Sequence, residues 1–352
     1  MGMARNEKLD FFKGVLMFGV VWGHAITNLS VGSNLSVGIH WIMRTYDMPL
    51  FMVLSGYFLA FSEQRKDLKT LLLDKMTTLF LPAFCWGLLL AGLRSALAPS
   101  QGLHLNPLTT LYFLWAVFFS TMMLLVVVKV FRSHSLQIAS CVAITLALNF
   151  IPLNLWNLSY LFPFFALGYF VNRLKLRPQK YWGEGVLLTL AFVTLLCFWK
   201  TDYTIWNTGN YFTSLHGKAV LIVLFRYLIA LVGGAFFVFF FSVIYDFFSR
   251  HQTRWFRFLM ECGRKTLPLY ILQELLLFDG VSRVVVWMTG RWGYNPLVLN
   301  GNLLGYVIAP VLAWLLMFLI VVLVRLLDRN RFLQYAFGGK IPLSSNKNNR
   351  IK

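Results

Sequence analysis

The sequence predicts an all-α, polytopic membrane protein with about ten transmembrane helices. Three observations carry this expectation. Of the 352 residues, 58% are hydrophobic, 17% aromatic and only 13% charged, a composition outside the range of soluble globular chains. Ten mostly apolar runs follow one another, each roughly the 20 residues needed to cross a hydrocarbon core. The connections between them alternate between basic-rich and basic-poor, as positive-inside sorting requires.

The first run, 11–29, carries Lys13 near its start and His24 well inside. No small-residue cleavage site follows it, so it is expected to be a retained helix rather than a signal peptide. The second, 38–62, holds His40, Arg44 and Asp47 at steps of four and three, on one helical face, and Pro49 is expected to kink or restart the helix. The third and fourth are 76–98 and 108–131. The fifth, 135–153, and the sixth, 155–172, are separated only by a tight turn around "PLNLW". The seventh is 185–200, and the eighth, 218–248, exceeds what a bilayer needs and implies tilt or a helical extension. The ninth, 266–289, contains Gln273, Glu274, Asp279 and Arg283, and the tenth is 303–327. Residues 1–340 form one integral membrane domain, and the polar tail 341–352 is expected to be disordered.

Ten spans put both termini on one side. With that side cytoplasmic, 25 of the 32 basic residues fall in inside segments and three, Lys200, Lys218 and Arg291, fall outside. The other four, Arg44, Arg94, Arg226 and Arg283, lie within or at the ends of spans. Topology therefore accounts for the net charge of +19, and no polar stretch is long enough to form a nucleic-acid-binding domain. Cys85, Cys141, Cys197 and Cys262 are scattered singly, without disulfide or zinc spacing, so no metal is expected.

A charged group inside a bilayer costs roughly 2.5–3.5 kcal/mol on insertion scales, so each one present calls for a partner or a cavity. Lys13 and His24, eleven residues apart, point within about 20° of each other and are separated by about 16 Å of helical rise. Asp10 shares that face about 21 Å from His24, too far for a dyad. Arg44 and Asp47 either neutralise each other or serve a site, and His40 is a site or an outer-interface residue. Asp279 and Arg283 form an expected i, i+4 pair. Glu274 has no basic residue at i±3 or i±4, so it needs a partner from another helix, or a cavity.

Four segments resemble the acyltransferase 3 family of integral membrane acyltransferases, including its fucose 4-O-acetyltransferase-like members. "KLDFFKGVLMFGVVWGHA" resembles the opening helix, whose signature is a basic residue, ten others and a histidine, here Lys13 and His24. "DMPLFMVLSGYFL" is similar to the second-helix motif ending in Ser55 and Gly56, and "GRKTLPLYILQ" to a penultimate-helix motif. "DKMTTLFLPAFCW" is similar to the segment that carries an Arg-x-x-Arg pair, but here Lys75 takes the first position and Thr78 the second.

The resemblance implies transfer of an acetyl or other acyl group from cytoplasmic acyl-CoA to a hydroxyl of a cell-surface or lipid-linked carbohydrate, in a bacterial inner membrane. Acyl-CoA and the glycan would be the partners, besides membrane lipids. His24 would be the general base or carry the acetyl group covalently, since imidazole titrates near neutrality. Glu274 or Asp47 would orient it, while Lys13, Lys75 and Asp10 would form the acetyl-CoA mouth. Arg44, His40 and Gln273 would serve the substrate or the oxyanion. The alternatives are a secondary transporter using Asp10, Asp47, Glu274 and Asp279, and a non-catalytic polysaccharide-export protein. Outside the family reading, Lys13 is a snorkelling residue, Ser55 and Gly56 a close helix contact, and the tryptophans interfacial anchors.

Overall fold

A computed structural model describes residues 6–31, 37–97, 106–108, 110–151, 157–175, 182–204, 212, 217–298 and 300–327. Among them there is no strand. Helix α1 is Glu7–Leu29, opened by Asn6, whose side chain accepts from the Leu9 amide. Helix α2 is Gly38–Glu63. It runs unbroken through Pro49, so the expected restart does not occur. Helix α3 spans Leu68–Leu97 and includes a π-helical stretch, Met76–Phe80. Helices α4 (Tyr112–Val130), α5 (His134–Phe150), α6 (Leu158–Arg173), α7 (Trp182–Phe198) and α8 (Gly217–Phe248) follow. Helix α9, Arg254–Arg264, is short and amphipathic. Helix α10 runs through Thr266–Gln273, a π-helical Glu274–Val281 and Ser282–Trp292. Helix α11 comprises Gly301–Leu303, a π-helical Leu304–Ile308 and Ala309–Leu327.

Each of the ten apolar runs thus coincides with a helix, and α9 is an addition. Five helices, α1, α3, α4, α8 and α11, are long and apolar enough to cross a membrane by length and composition, and α5 and α7 are shorter apolar helices. The turn around "PLNLW" and the tail 341–352 fall outside the described residues.

Helix α1 is central: 67% of its apolar window is buried, against 28% for α8, which turns most of its surface outward. It packs against α2, α8, α9, α10 and α11. Two crossings are closed by glycines. A Cβ on Gly56 of α2 would collide with the Phe165 carbonyl of α6, and one on Gly168 of α6 with the Val53 carbonyl of α2. Gly14 of α1 and Gly263 of α9 meet the Leu259 and Asp10 carbonyls in the same reciprocal way. Small residues at such crossings let backbones touch, the packing on which helices in lipid rely. Gly56 of the second motif is therefore a helix contact. Outward faces carry large apolar side chains such as Leu187, Leu221 and Trp287, each about two-thirds exposed (68%, 66% and 67%). Such a surface suits lipid.

Candidate active site

His24 sits about one and a half turns from the end of α1, and its partner comes from α10. Its Nδ1 lies 2.8 Å from Gln273 Oε1. An amide oxygen only accepts, so this contact calls for the tautomer with the proton on Nδ1, which leaves the lone pair on Nε2. Gln273 is completely buried, and its Nε2 donates to the Tyr270 carbonyl at 3.3 Å, which sets the amide orientation. The Phe278 ring meets the imidazole edge-on at 5.2 Å between centroids, and Asn28 donates to the His24 carbonyl at 2.8 Å. The expected orienting groups were Glu274 and Asp47. The hydrogen bond is accepted by Gln273, one residue before Glu274 on α10.

A cavity of about 410 Å³ opens beside this pair, lined by His24, Thr27, His40, Arg44, Asp47, Tyr112, Glu274 and Phe278 among others. Arg44 Nε donates to His40 Nε2 at 3.0 Å, and its guanidinium lies 5.9 Å from the Trp41 ring. The mutual neutralisation of Arg44 and Asp47 does not occur as an ion pair: Arg44 turns to His40, and Asp47 Oδ1 accepts from the Met48 amide at 2.6 Å. Of the two cavity histidines, His40 has Nε2 occupied by Arg44. His24 has Nε2 without a hydrogen-bond partner among the described residues.

Arg94 of α3 organises the carboxylates. Its Nε donates to both Asp279 oxygens, at 2.9 and 3.1 Å, and its terminal nitrogen to Glu274 Oε1 at 3.1 Å. In an α-helix residues five apart point about 140° away from each other. The π-helical stretch Glu274–Val281 has i to i+5 periodicity, which brings Glu274 and Asp279 to one side, where one guanidinium holds both. The expected Asp279–Arg283 pair is thus replaced, and Arg283 donates to the Leu97 carbonyl at 3.3 Å. Glu274 does find its partner on another helix.

A second cavity, about 320 Å³, is lined by Lys13, Met17, Phe51, Ser55, Phe58, Thr78 and Phe113 among others. It shares Val20, Met48 and Tyr270 with the first. Along α1, Lys13, Met17, Val20, His24 and Thr27 line the two cavities in succession, at steps of four, three, four and three. Lys13 pairs with Asp10 at 3.1 Å and lies 5.0 Å from the Phe58 ring, while Arg264 of α9 holds the other Asp10 oxygen at 3.3 Å. Lys75 is half-buried and lines neither cavity, and Lys66 is spent on Asp74 at 3.1 Å. Ser55 donates to the Phe51 carbonyl at 2.8 Å.

Sequence reasoning missed Arg94, Tyr112, Trp199 and Arg226. Arg94 and Arg226 carried a signal, being charges within spans, but nothing local paired them. No cluster of His, Cys, Asp or Glu among the described residues would hold a metal ion.

Comparison with known proteins gives the family. The acyltransferase 3 family, whose model is described as an acyltransferase domain, matches residues 6–327. Nodulation protein NolL of Mesorhizobium japonicum is 28% identical over 304 residues, covering 80% of each chain. Nodulation protein NolL of Sinorhizobium fredii is 27% identical over 319 residues, covering 80% of this chain and 84% of its own. No solved structure matches. The transporter and export alternatives fall with this match, and Asp10, Glu274 and Asp279, three of the carboxylates a transporter would use, are each held by a cation. The chain belongs to the acyltransferase 3 family and is a membrane acyltransferase.

Proposed function

We propose that the protein transfers an acetyl or other acyl group from acyl-CoA to a carbohydrate hydroxyl, with His24 as general base. The observation that carries this reading is the 2.8 Å contact of His24 Nδ1 with Gln273 Oε1 in the wall of the cavity that His24 lines; with the proton on Nδ1, Nε2 is the base. The acceptor hydroxyl gives its proton to Nε2 as its oxygen attacks the thioester carbonyl. The carbon–sulfur bond then breaks, and the proton passes to the departing thiolate. Glu274 lines the same cavity as the imidazolium that forms transiently. Arg44, which lines the same cavity, is the donor for the tetrahedral oxyanion.

The donor enters at the Lys13 end and the acceptor at the His24 end. The second cavity is mostly apolar, lined by Met17, Phe51, Leu54 and Phe113, and suits an acyl-pantetheine arm, with phosphates at Lys13 and Arg264. The separation of about 16 Å between Lys13 and His24 along the unbroken α1 matches an extended donor. Asp10 pairs with both cations, so its part in donor binding is to orient them. Transfer of radiolabelled acetyl from acetyl-CoA to glycan in washed membranes tests the reaction. Absence of any labelled glycan removes this reading.

Lys13→Ala is expected to weaken coenzyme A binding roughly 10- to 100-fold, the loss of one charge-assisted hydrogen bond. Lys13→Arg should keep or improve it through bidentate contacts. Binding should weaken with rising salt. Isothermal titration of the solubilised protein decides: equal affinity in wild type and Lys13→Ala makes Lys13 a snorkelling anchor.

All ten apolar helices cross the bilayer in this reading, both termini are cytoplasmic, and the membrane is a bacterial inner membrane. The 25-to-3 partition of basic residues supports it. Reporters fused after Lys200 and after Thr253 should lie on opposite sides, with Thr253 inside. Reporters on one side would break the span map.

A further inference from the structure

We infer that Trp199 and Asn157 form a subsite for the acceptor's sugar ring in the wall of the His24 cavity, binding ring hydroxyls that do not react. The inference rests on the acyl-transfer reading above and adds the recognition of the acceptor. Both residues line the cavity. Trp199 Nε1 and Asn157 Oδ1 are buried and have no hydrogen-bond partner among the described residues. Unpartnered buried polar atoms are rare, because each forfeits its bond to water with no return.

The usual employment of each side chain is absent. A tryptophan at a membrane interface directs its N–H to water and headgroups, whereas this indole N–H is buried. Asn157 is the N-cap residue of α6, where an asparagine oxygen ordinarily accepts from the first helical amides, yet its side chain makes no capping bond. One donor and one acceptor remain, the complement of a hydroxyl pair on a sugar ring. To meet a bound ring, both side chains turn toward the cavity that they line.

The subsite is braced. The Trp199 ring lies 6.2 Å from Phe225, near-parallel at 27°, and 6.2 Å from Tyr203, near-perpendicular at 88°. Arg226 of α8, 1% exposed, donates to the Tyr203 carbonyl and, at 3.0 Å, to the Thr204 carbonyl. Its guanidinium thereby ties the segment after Trp199 to α8, making Arg226 a positioning residue. With Arg226 turned to backbone carbonyls, what Trp199 and Asn157 offer is hydroxyl recognition rather than capture of a carboxylate or phosphate.

The test uses the full-length protein in membranes, radiolabelled acetyl-CoA and a panel of p-nitrophenyl glycosides as probe acceptors. Trp199→Phe keeps an aromatic ring and removes the N–H, and Asn157→Gly tolerates the local φ of 55° while removing the acceptor oxygen. Each should raise the glycoside KM about tenfold with kcat changed less than about twofold and the acetyl-CoA KM unmoved. An unchanged glycoside KM in both variants overturns the subsite while leaving acyl transfer standing. A parallel loss of kcat and of donor affinity makes the two residues structural and overturns it equally. A wild type that acetylates none of the glycosides overturns the carbohydrate reading and the subsite together.

Discussion

His24→Ala is expected to lower acetyl transfer by about 10²- to 10⁴-fold, the contribution of a positioned general base. Loss of the imidazole takes away the proton acceptor and costs only two contacts to α10, the Gln273 hydrogen bond and the edge-on Phe278 ring, while α1 stays held by its glycine crossing with α9 and by buried apolar residues on its other faces. The variant should therefore reach the membrane at wild-type levels and bind coenzyme A normally. Gln273→Leu makes the finer test. It leaves the imidazole in place but removes the acceptor that keeps the proton on Nδ1, so the ring loses its orientation and its tautomer preference. Turnover should fall less than in His24→Ala, with the acetyl-CoA KM unmoved. Steady-state transfer at saturating donor reads both. Near-normal turnover in His24→Ala would end the general-base assignment.

Arg94→Met should destabilise the fold by about 3 kcal/mol, the lower end for breaking a buried ion pair because the Arg94 side chain is 32% exposed. Its two partners are more enclosed, with side-chain exposures of 15% for Glu274 and 6% for Asp279. Without the guanidinium both carboxylates are stranded on the π-helical stretch of α10. The thermal midpoint in detergent should drop by several degrees. Arg94→Lys should recover only part of this, since an ammonium is a point charge and cannot match the fork that reaches Asp279 through Nε and Glu274 through the terminal nitrogen. Adding Glu274→Gln and Asp279→Asn to Arg94→Met should restore much of the loss, because the penalty belongs to the unpaired charges. An unchanged midpoint in Arg94→Met would remove the clamp from the stability of the bundle. Gln273 immediately precedes Glu274, so a loosened clamp should also reduce transfer more than the midpoint alone accounts for.

The apolar runs were legible because membrane helices announce themselves locally, by length and composition. All ten runs became helices, and the match to the family extends over most of the chain. The second-helix motif was legible as a pattern but not as a role: only the crossing of α2 and α6 shows that Gly56 is there because no Cβ fits against Phe165. Lys75 stood at a motif position, yet it lines neither cavity while Thr78, three residues on, lines the one that holds Lys13.

What the sequence by itself determined is everything that repeats at helical spacing: an all-helical bundle, and a stripe on α1 that puts Lys13 and His24 on one face. Tertiary structure alone decided the partners. Gln273 meets His24 across 249 residues of chain, and Arg94 meets Glu274 across 180. The periodicity argument that paired Asp279 with Arg283 assumed 3.6 residues per turn, and α10 departs from that at the site itself. A local wave of hydrophobicity follows from the chemistry of successive residues, whereas the register in which two helices face each other follows from how all of them pack, and no short stretch of sequence contains it.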